Sequence, residues 1–158
     1  KGTGIEWKGE GELIEIGTGR KLKEGKDIAF VSIGHIGNQI NKAAEQLEDL
    51  NIDYAHYDIR FLKPIDKKLL HEVFQKHDKI ITIEDGTIIG GLGSAVNEFM
   101  NECNYKATIV KMGVPDQFID HGTPEQLYEA IGLDAAGIVK TSQKLINNKQ
   151  VFQQKASS

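Results

Sequence analysis

The run Ile28-Ala-Phe-Val-Ser-Ile33 constrains this chain more than any other feature. A continuous, partly branched apolar run has no polar side to give to water. It suits a strand covered on both faces, the condition of a parallel sheet. Gly34 ends the run, and Ile36, Ile40, Ala43, Ala44, Leu47 and Leu50 then recur at helical spacing as one apolar stripe against that sheet.

The alternation continues to the end of the chain. Residues 53–58 form a weaker strand, with His56 and Asp58 on one face and Tyr57 on the other. Asp66 then caps a helix whose inner side is Leu69, Leu70, Val73 and Phe74. Lys79-Ile-Ile-Thr-Ile83 is the second central strand, ending in an acidic turn, Glu84-Asp85-Gly86, and the glycine run Gly90-Gly91-Leu92-Gly93. Leu92, Ala95, Val96, Phe99, Met100 and Cys103 make the stripe of the next helix, and residues 107–112 a further strand. Thr123-Pro124-Glu125-Gln126 combines a capping hydroxyl, proline at the first helical position and glutamine at the third, a strong start signal. A last helix begins near Asp134 and fades after Ile146.

Strands and helices in alternation, joined by short connections, predict an α/β domain: a three-layer α/β/α sandwich on a mostly parallel sheet. Residues 1–26 read as a linker with one short strand at 13–16. The basic stretch Arg20-Lys21-Leu22-Lys23 reads as a solvated hairpin between turn signals. Residues 27–146 are the domain, and 147–158 a polar, frayed tail. The first residue is Lys1 rather than methionine, so the chain reads as a piece cut from a longer one.

A length of 158 residues fits one domain with a sizeable core. A net charge of −4 argues against nucleic acid or an anionic membrane as partner, since both favour a basic surface. Cys103 is the one cysteine, which leaves no disulfide frame and no thiolate metal cluster and fits a reducing, cytoplasmic setting. No apolar run approaches the ~20 residues of a membrane span, and no signal-peptide pattern opens the chain.

Glu84 and Asp85 fall at the carboxyl end of a central strand, where open α/β sheets place ligands. Two adjacent carboxylates there could hold a cation or raise each other's pKa. The plainer expectation is that one of them accepts amides of the 86–91 loop or caps the next helix. The glycines at 90–93 precede a helix, whose free amides attract phosphate. They lack both the dinucleotide spacing and the Gly-Lys-Ser/Thr ending of a nucleotide loop. Gly34-His35-Ile36-Gly37 is equally weak, and His35 reads as a helix-start or interface residue. His121, in Asp120-His121-Gly122, has no serine or cysteine partner at motif spacing and reads as a loop-ordering or interface residue. His56, His71 and His77 are scattered, without metal-ligand spacing. Residues 60–64, Arg-Phe-Leu-Lys-Pro, form a rigid connector that presents Arg60 or Phe61 to a neighbour.

Longer motifs carry a resemblance. Asp58-Ile-Arg60-Phe-Leu-Lys63-Pro64-Ile-Asp66, Thr82-Ile-Glu84-Asp85-Gly86 and Gly90-Gly91-Leu92-Gly93-Ser94-Ala95-Val96-Asn97-Glu98 are similar to segments of transketolase-type enzymes and of 2-oxoacid dehydrogenase beta subunits. Gly-Val-Pro-Asp-Gln-Phe-Ile-Asp-His-Gly at 113–122 and Gly-Leu-Asp-Ala-Ala-Gly at 132–137 narrow this. Together they resemble the C-terminal, transketolase-like domain of the 1-deoxy-D-xylulose-5-phosphate synthase family over residues 12–146. Asp85 stands where the family often has a second glutamate.

The resemblance implies a transferase, homodimeric when whole, that condenses pyruvate with glyceraldehyde 3-phosphate on thiamin diphosphate and Mg²⁺. Its product feeds isoprenoid precursors, thiamin and pyridoxal phosphate. It also implies that catalysis lies upstream. The Gly-Asp-Gly…Asn signature for magnesium and diphosphate does not occur here, and Lys1 begins just beyond the family's arginine-containing phosphate loop. No catalytic, cofactor-binding or metal-ligating residue is therefore assigned to this chain. Its role is structural, with Arg60, Phe61, Glu84, Asp85, Ile88, Ile89, Phe118, Ile119 and His121 as candidate contacts with the upstream domains. The alternatives are a 2-oxoacid dehydrogenase beta-subunit domain and a free-standing ligand-binding module.

Overall fold

The computed structural model describes residues 13–119 and 121–156, with side chains through residue 147. Strands β1 (Arg20–Lys23), β2 (Ile28–Ile33), β3 (Tyr54–Asp58), β4 (Lys79–Thr87) and β5 (Thr108–Val114) form one sheet in the order β1-β3-β2-β4-β5. Pairings among β2, β3, β4 and β5 are parallel, and β1 runs antiparallel to β3. The helices are α1 (Asn38–Asp49), α2 (Lys67–Lys76), α3 (Leu92–Glu102), α4 (Pro124–Ile131) and α5 (Ala135–Ala156), with a 3₁₀ turn at His35–Gly37.

Alternation along the central strands builds two cores. Ile28 and Phe30 of β2, with Ile81 and Ile83 of β4, meet Ile40, Ala43 and Leu47 of α1 and Ile138, Val139 and Leu145 of α5. Ala29, Val31 and Ile80 face the opposite way, onto Leu70, Val73 and Phe74 of α2 and Leu92, Val96 and Phe99 of α3. Each fully buried Leu, Ile or Phe contributes about 1.5–3 kcal/mol of transfer free energy. The three-layer sandwich expected from the sequence is the observed architecture.

Five local expectations are corrected. Residues 13–16 are not a strand: Leu13 and Ile16 are exposed, and the chain turns where Thr18 N donates to Glu15 O at 3.2 Å. The N-terminal strand is instead the basic stretch, β1, paired with β3 and tied by Arg20 Nε to Asp58 Oδ2 at 3.1 Å. Charged, half-exposed residues suit an edge strand, because they discourage pairing with another chain. Apolar content alone pointed to the wrong segment.

β4 does not end at Ile83 but runs through the acidic residues to Thr87, and β5 runs two residues past Met112 to Val114. Their register slips between Ile83↔Met112 and Thr87↔Val114, so β4 bulges at Glu84-Asp85-Gly86. Gly113 lies inside β5, where a Cβ would come 2.8 Å from Ile88 Cγ2 and 2.9 Å from Gly86 O.

The last helix continues to Ala156 rather than fading at Ile146. The segment beyond 146 holds no glycine or proline and is rich in Gln and Lys, which prolong a helix without needing a core to pack against. The two predicted caps are present: Asp66 Oδ1 accepts Leu69 N at 2.8 Å, and Thr123 and Gln126 form a reciprocal capping box.

Candidate functional site

β3 and β4 flank β2 on opposite sides. The chain leaving β2 enters α1 on one face of the sheet, while the chain leaving β4 enters α3 on the other. The carboxyl ends of β2 and β4 thus bracket a topological switch point, the usual place for ligands and neighbours in an open α/β sheet. Glu84 pairs with Ile33 there, one residue before the Gly34 turn.

Glu84 is 5% exposed, and its oxygens accept the amides of Leu92 at 2.8 Å and Gly93 at 3.0 Å. These are the first amides of α3, the positions a bound phosphate would need. The carboxylate already fills them, so the glycine run is not a phosphate cradle. The plainer reading of Glu84 therefore describes the structure. Gly90 supplies the left-handed turn, at φ 76°, and its amide donates to Ser94 Oγ at 3.0 Å. Gly91 has an ordinary φ of −89°, and what it provides is room for Glu84.

Asp85 faces outward. Tyr128 of α4 donates its hydroxyl to Asp85 Oδ2 at 3.0 Å, and His35 Nε2 lies 3.0 Å from the same hydroxyl and 3.5 Å from Oδ2. Partial burial and the hydrogen bond to Asp85 push the Tyr128 phenol up to about 12, so it stays a donor near neutrality. This triangle joins the ends of β2 and β4 to α4, a helix without a single fully buried residue. Tyr128 was missed from sequence because its stripe neighbours, Leu127 and Ile131, look like ordinary core residues.

The remaining candidates do not join that triangle. Arg60 (φ 57°) and Phe61 are half-buried just beyond β3, and the Arg60 amide donates to Asp58 Oδ1 at 3.1 Å. Ile88 is half-buried and Ile89 is 60% exposed, both just past β4. Phe118 is fully exposed, Ile119 half-buried and His121 exposed, beyond β5. They line a cavity of about 430 Å³ with Gln126, Leu127 and Ile131. Asp120 lies outside the described residues, and among those residues the His121 side chain makes no hydrogen bond. Since β3, β4 and β5 are parallel, all nine candidates share the carboxyl edge of the sheet.

The scattered histidines serve the fold. His56 Nε2 lies 2.8 Å from Ser32 Oγ, His71 Nδ1 2.9 Å from Tyr105 Oη, and His77 Nε2 3.2 Å from Tyr57 Oη. Burial pushes His56 down to about 4 and His77 also downward, so both are neutral spacers at pH 7. Cys103 is half-buried at the end of α3. Among the described residues, no three His, Cys, Asp or Glu side chains converge as metal ligands. The described residues of the edge offer hydrogen-bonding groups and apolar side chains.

Residues 17–138 match the family described as "Transketolase, C-terminal domain". The chain is 47% identical over 144 residues to the 1-deoxy-D-xylulose-5-phosphate synthase of Parabacteroides distasonis, covering 91% of this chain and 23% of that protein. It is 53% identical over 134 residues to the synthase of Azobacteroides pseudotrichonymphae, covering 85% of this chain and 21% of that one. It thus spans under a quarter of the length of these curated relatives. A solved structure described as "Split gene transketolase, inactive beta4 tetramer" superposes with TM-score 0.78 at 40% identity, covering 85% of this chain and 44% of that one. A Pichia stipitis transketolase mutant superposes at TM-score 0.63 and 16% identity over 82% of this chain and 18% of that one, a likeness of fold.

Proposed function

This chain belongs to the transketolase C-terminal domain family, and from that premise we propose that it is the C-terminal domain of a 1-deoxy-D-xylulose-5-phosphate synthase. The whole enzyme would be a cytoplasmic homodimer that condenses pyruvate with glyceraldehyde 3-phosphate, for isoprenoid, thiamin and pyridoxal phosphate synthesis. Identities near 50% to synthases in several bacteria support this reading.

Thiamin diphosphate would supply the carbanion chemistry of such an enzyme. The described residues of this chain do not fit that cofactor. The α3 amides that would suit a diphosphate are occupied by Glu84, and no acidic group among the described residues converges to hold Mg²⁺. Cofactor and catalysis are assigned to the upstream domains.

The part left to this chain is to dock on those domains through its carboxyl edge. One observation carries that assignment: Phe118 and Ile89 are exposed and Phe61, Ile88 and Ile119 only half-buried, each just past the carboxyl end of one of the parallel strands. Large apolar groups left open along one edge suit an interaction surface. Asp85 and His121 add polar groups at that edge, as domain interfaces have.

The test separates the parts. The upstream cofactor-binding portion would be purified alone, and thiamin-dependent product formation measured with and without this chain in trans. No activity from this chain, and activity of the upstream portion only when it is added, is the expected result. Turnover by this chain alone, or upstream activity indifferent to it, would overturn the reading.

A further inference from the structure

Among the described residues, β5 is an edge of the sheet, bonded to β4 alone. A cavity of about 300 Å³ lies against it, lined by Lys111 of β5, by Lys140, Thr141 and Lys144 of α5, and by apolar groups including Met112 and Leu133. No aspartate or glutamate lines it. The chain as a whole carries a net charge of −4, so this concentration of positive charge is local.

Lys140 and Lys144 stand four residues apart, on one face of α5, where like charges oppose helix formation. Lys111 runs along Gly93 of α3 and donates to Ile88 O at 3.2 Å, so what it brings to the cavity is its backbone. Among the described residues, none of the three is in an ion pair with a carboxylate. The strand adds donors of its own. Thr108 N donates toward β4, and amides alternate in direction along a strand, so those of Lys111 and Gly113 face the open edge.

We propose that this cavity is a binding site for a small multivalent anion of the phosphate class. The ammonium groups of Lys140 and Lys144, the Thr141 hydroxyl and the outward amides of β5 suit several acceptor oxygens on one compact ligand. Ile88 lines this cavity and also belongs to the carboxyl edge, so the site adjoins the proposed docking surface without depending on it.

The test is an NMR titration of the ¹⁵N-labelled chain with inorganic phosphate and with pyrophosphate at constant ionic strength. Saturable shifts confined to the amides of 111–113 and 137–144 are expected, with pyrophosphate the tighter ligand. Lys140→Gln with Lys144→Gln should weaken binding about tenfold or more, while Lys67→Gln with Lys68→Gln on α2 leaves it unchanged. Dispersed spectra of both variants show that they fold. Linear shifts spread over all surface lysines, equal loss in both variants, or binding of a hexaglutamate peptide but not of either phosphate would overturn the proposal.

Discussion

The Glu84 carboxylate occupies the space that any side chain at residue 91 would need: a Cβ on Gly91 would collide with Oε2 and with the carboxyl carbon. Gly91 is therefore glycine because the carboxylate must pass over it to reach the amides of Leu92 and Gly93, and its φ of −89° would admit any residue. Gly90, one position earlier, has the reverse reason, with open space around it and a positive φ.

That contrast gives a paired prediction. Gly91→Ala should displace Glu84 from charge-assisted bonds and cost about 2 kcal/mol or more. Gly90→Ala should cost about 1 kcal/mol, the ordinary penalty for a left-handed residue with a Cβ. Urea unfolding of both variants checks this. A Gly91→Ala cost no larger than that of Gly90→Ala would mean that the carboxylate moves aside freely.

The layer order was legible because it depends on continuous apolar runs and on stripes at 3.6-residue spacing. These survive any choice of tertiary contacts. Strand ends were not. Glu84 and Asp85 look like a turn in sequence, yet they stay in β4 because the bulge lets one carboxylate point inward to α3 and the other outward to Tyr128. The site was half legible on the same grounds. Glycine and acidic signals mark loops at strand ends, but the pairing of His35, Asp85 and Tyr128 spans 93 residues from His35 to Tyr128. β1 was missed because an edge strand is recognised by its partner, β3, and hardly at all by its own composition.

His56 predicts the acid limb of stability. Its folded pKa, about 4, lies below the ordinary 6.5 because burial disfavours the imidazolium, Asp58 and Arg20 being the charges that act on it. Below pH 6.5 the unfolded chain takes up a proton that the folded chain refuses, so stability is full above 6.5 and falls as pH drops toward 4. The loss approaches about 3 kcal/mol. His77 shifts in the same direction, so the informative quantity is the difference between wild type and His56→Gln across pH 7 to 4. Parallel curves would remove His56 as the cause.

Tyr128→Phe should loosen α4 while leaving the sheet intact. The helix has no fully buried side chain, and the phenol holds it to Asp85 and His35. Global stability should fall by about 1 kcal/mol, the net worth of a hydrogen bond. Amide exchange should accelerate selectively over residues 124–131. Uniform acceleration through α1 and α3 as well would show that the triangle supports the whole domain rather than docking one helix.

The last prediction concerns Phe118, whose ring is fully exposed in this chain. Since it contributes no burial here, Phe118→Asp should leave the urea midpoint of the chain unchanged within about 0.5 kcal/mol. In contact with upstream domains the same ring would sit among Ile89 and other apolar groups of the carboxyl edge. Placing a carboxylate there should weaken association strongly, since an unpaired charge would be buried in the contact. Asp116→Asn, an exposed residue of the same loop, is a control that changes charge without removing an anchor. Affinity for the upstream portion, measured by calorimetry, should fall at least about tenfold for Phe118→Asp and by far less for Asp116→Asn. If Phe118→Asp unfolds the chain, or binds as well as wild type, the ring is not the anchor of this edge.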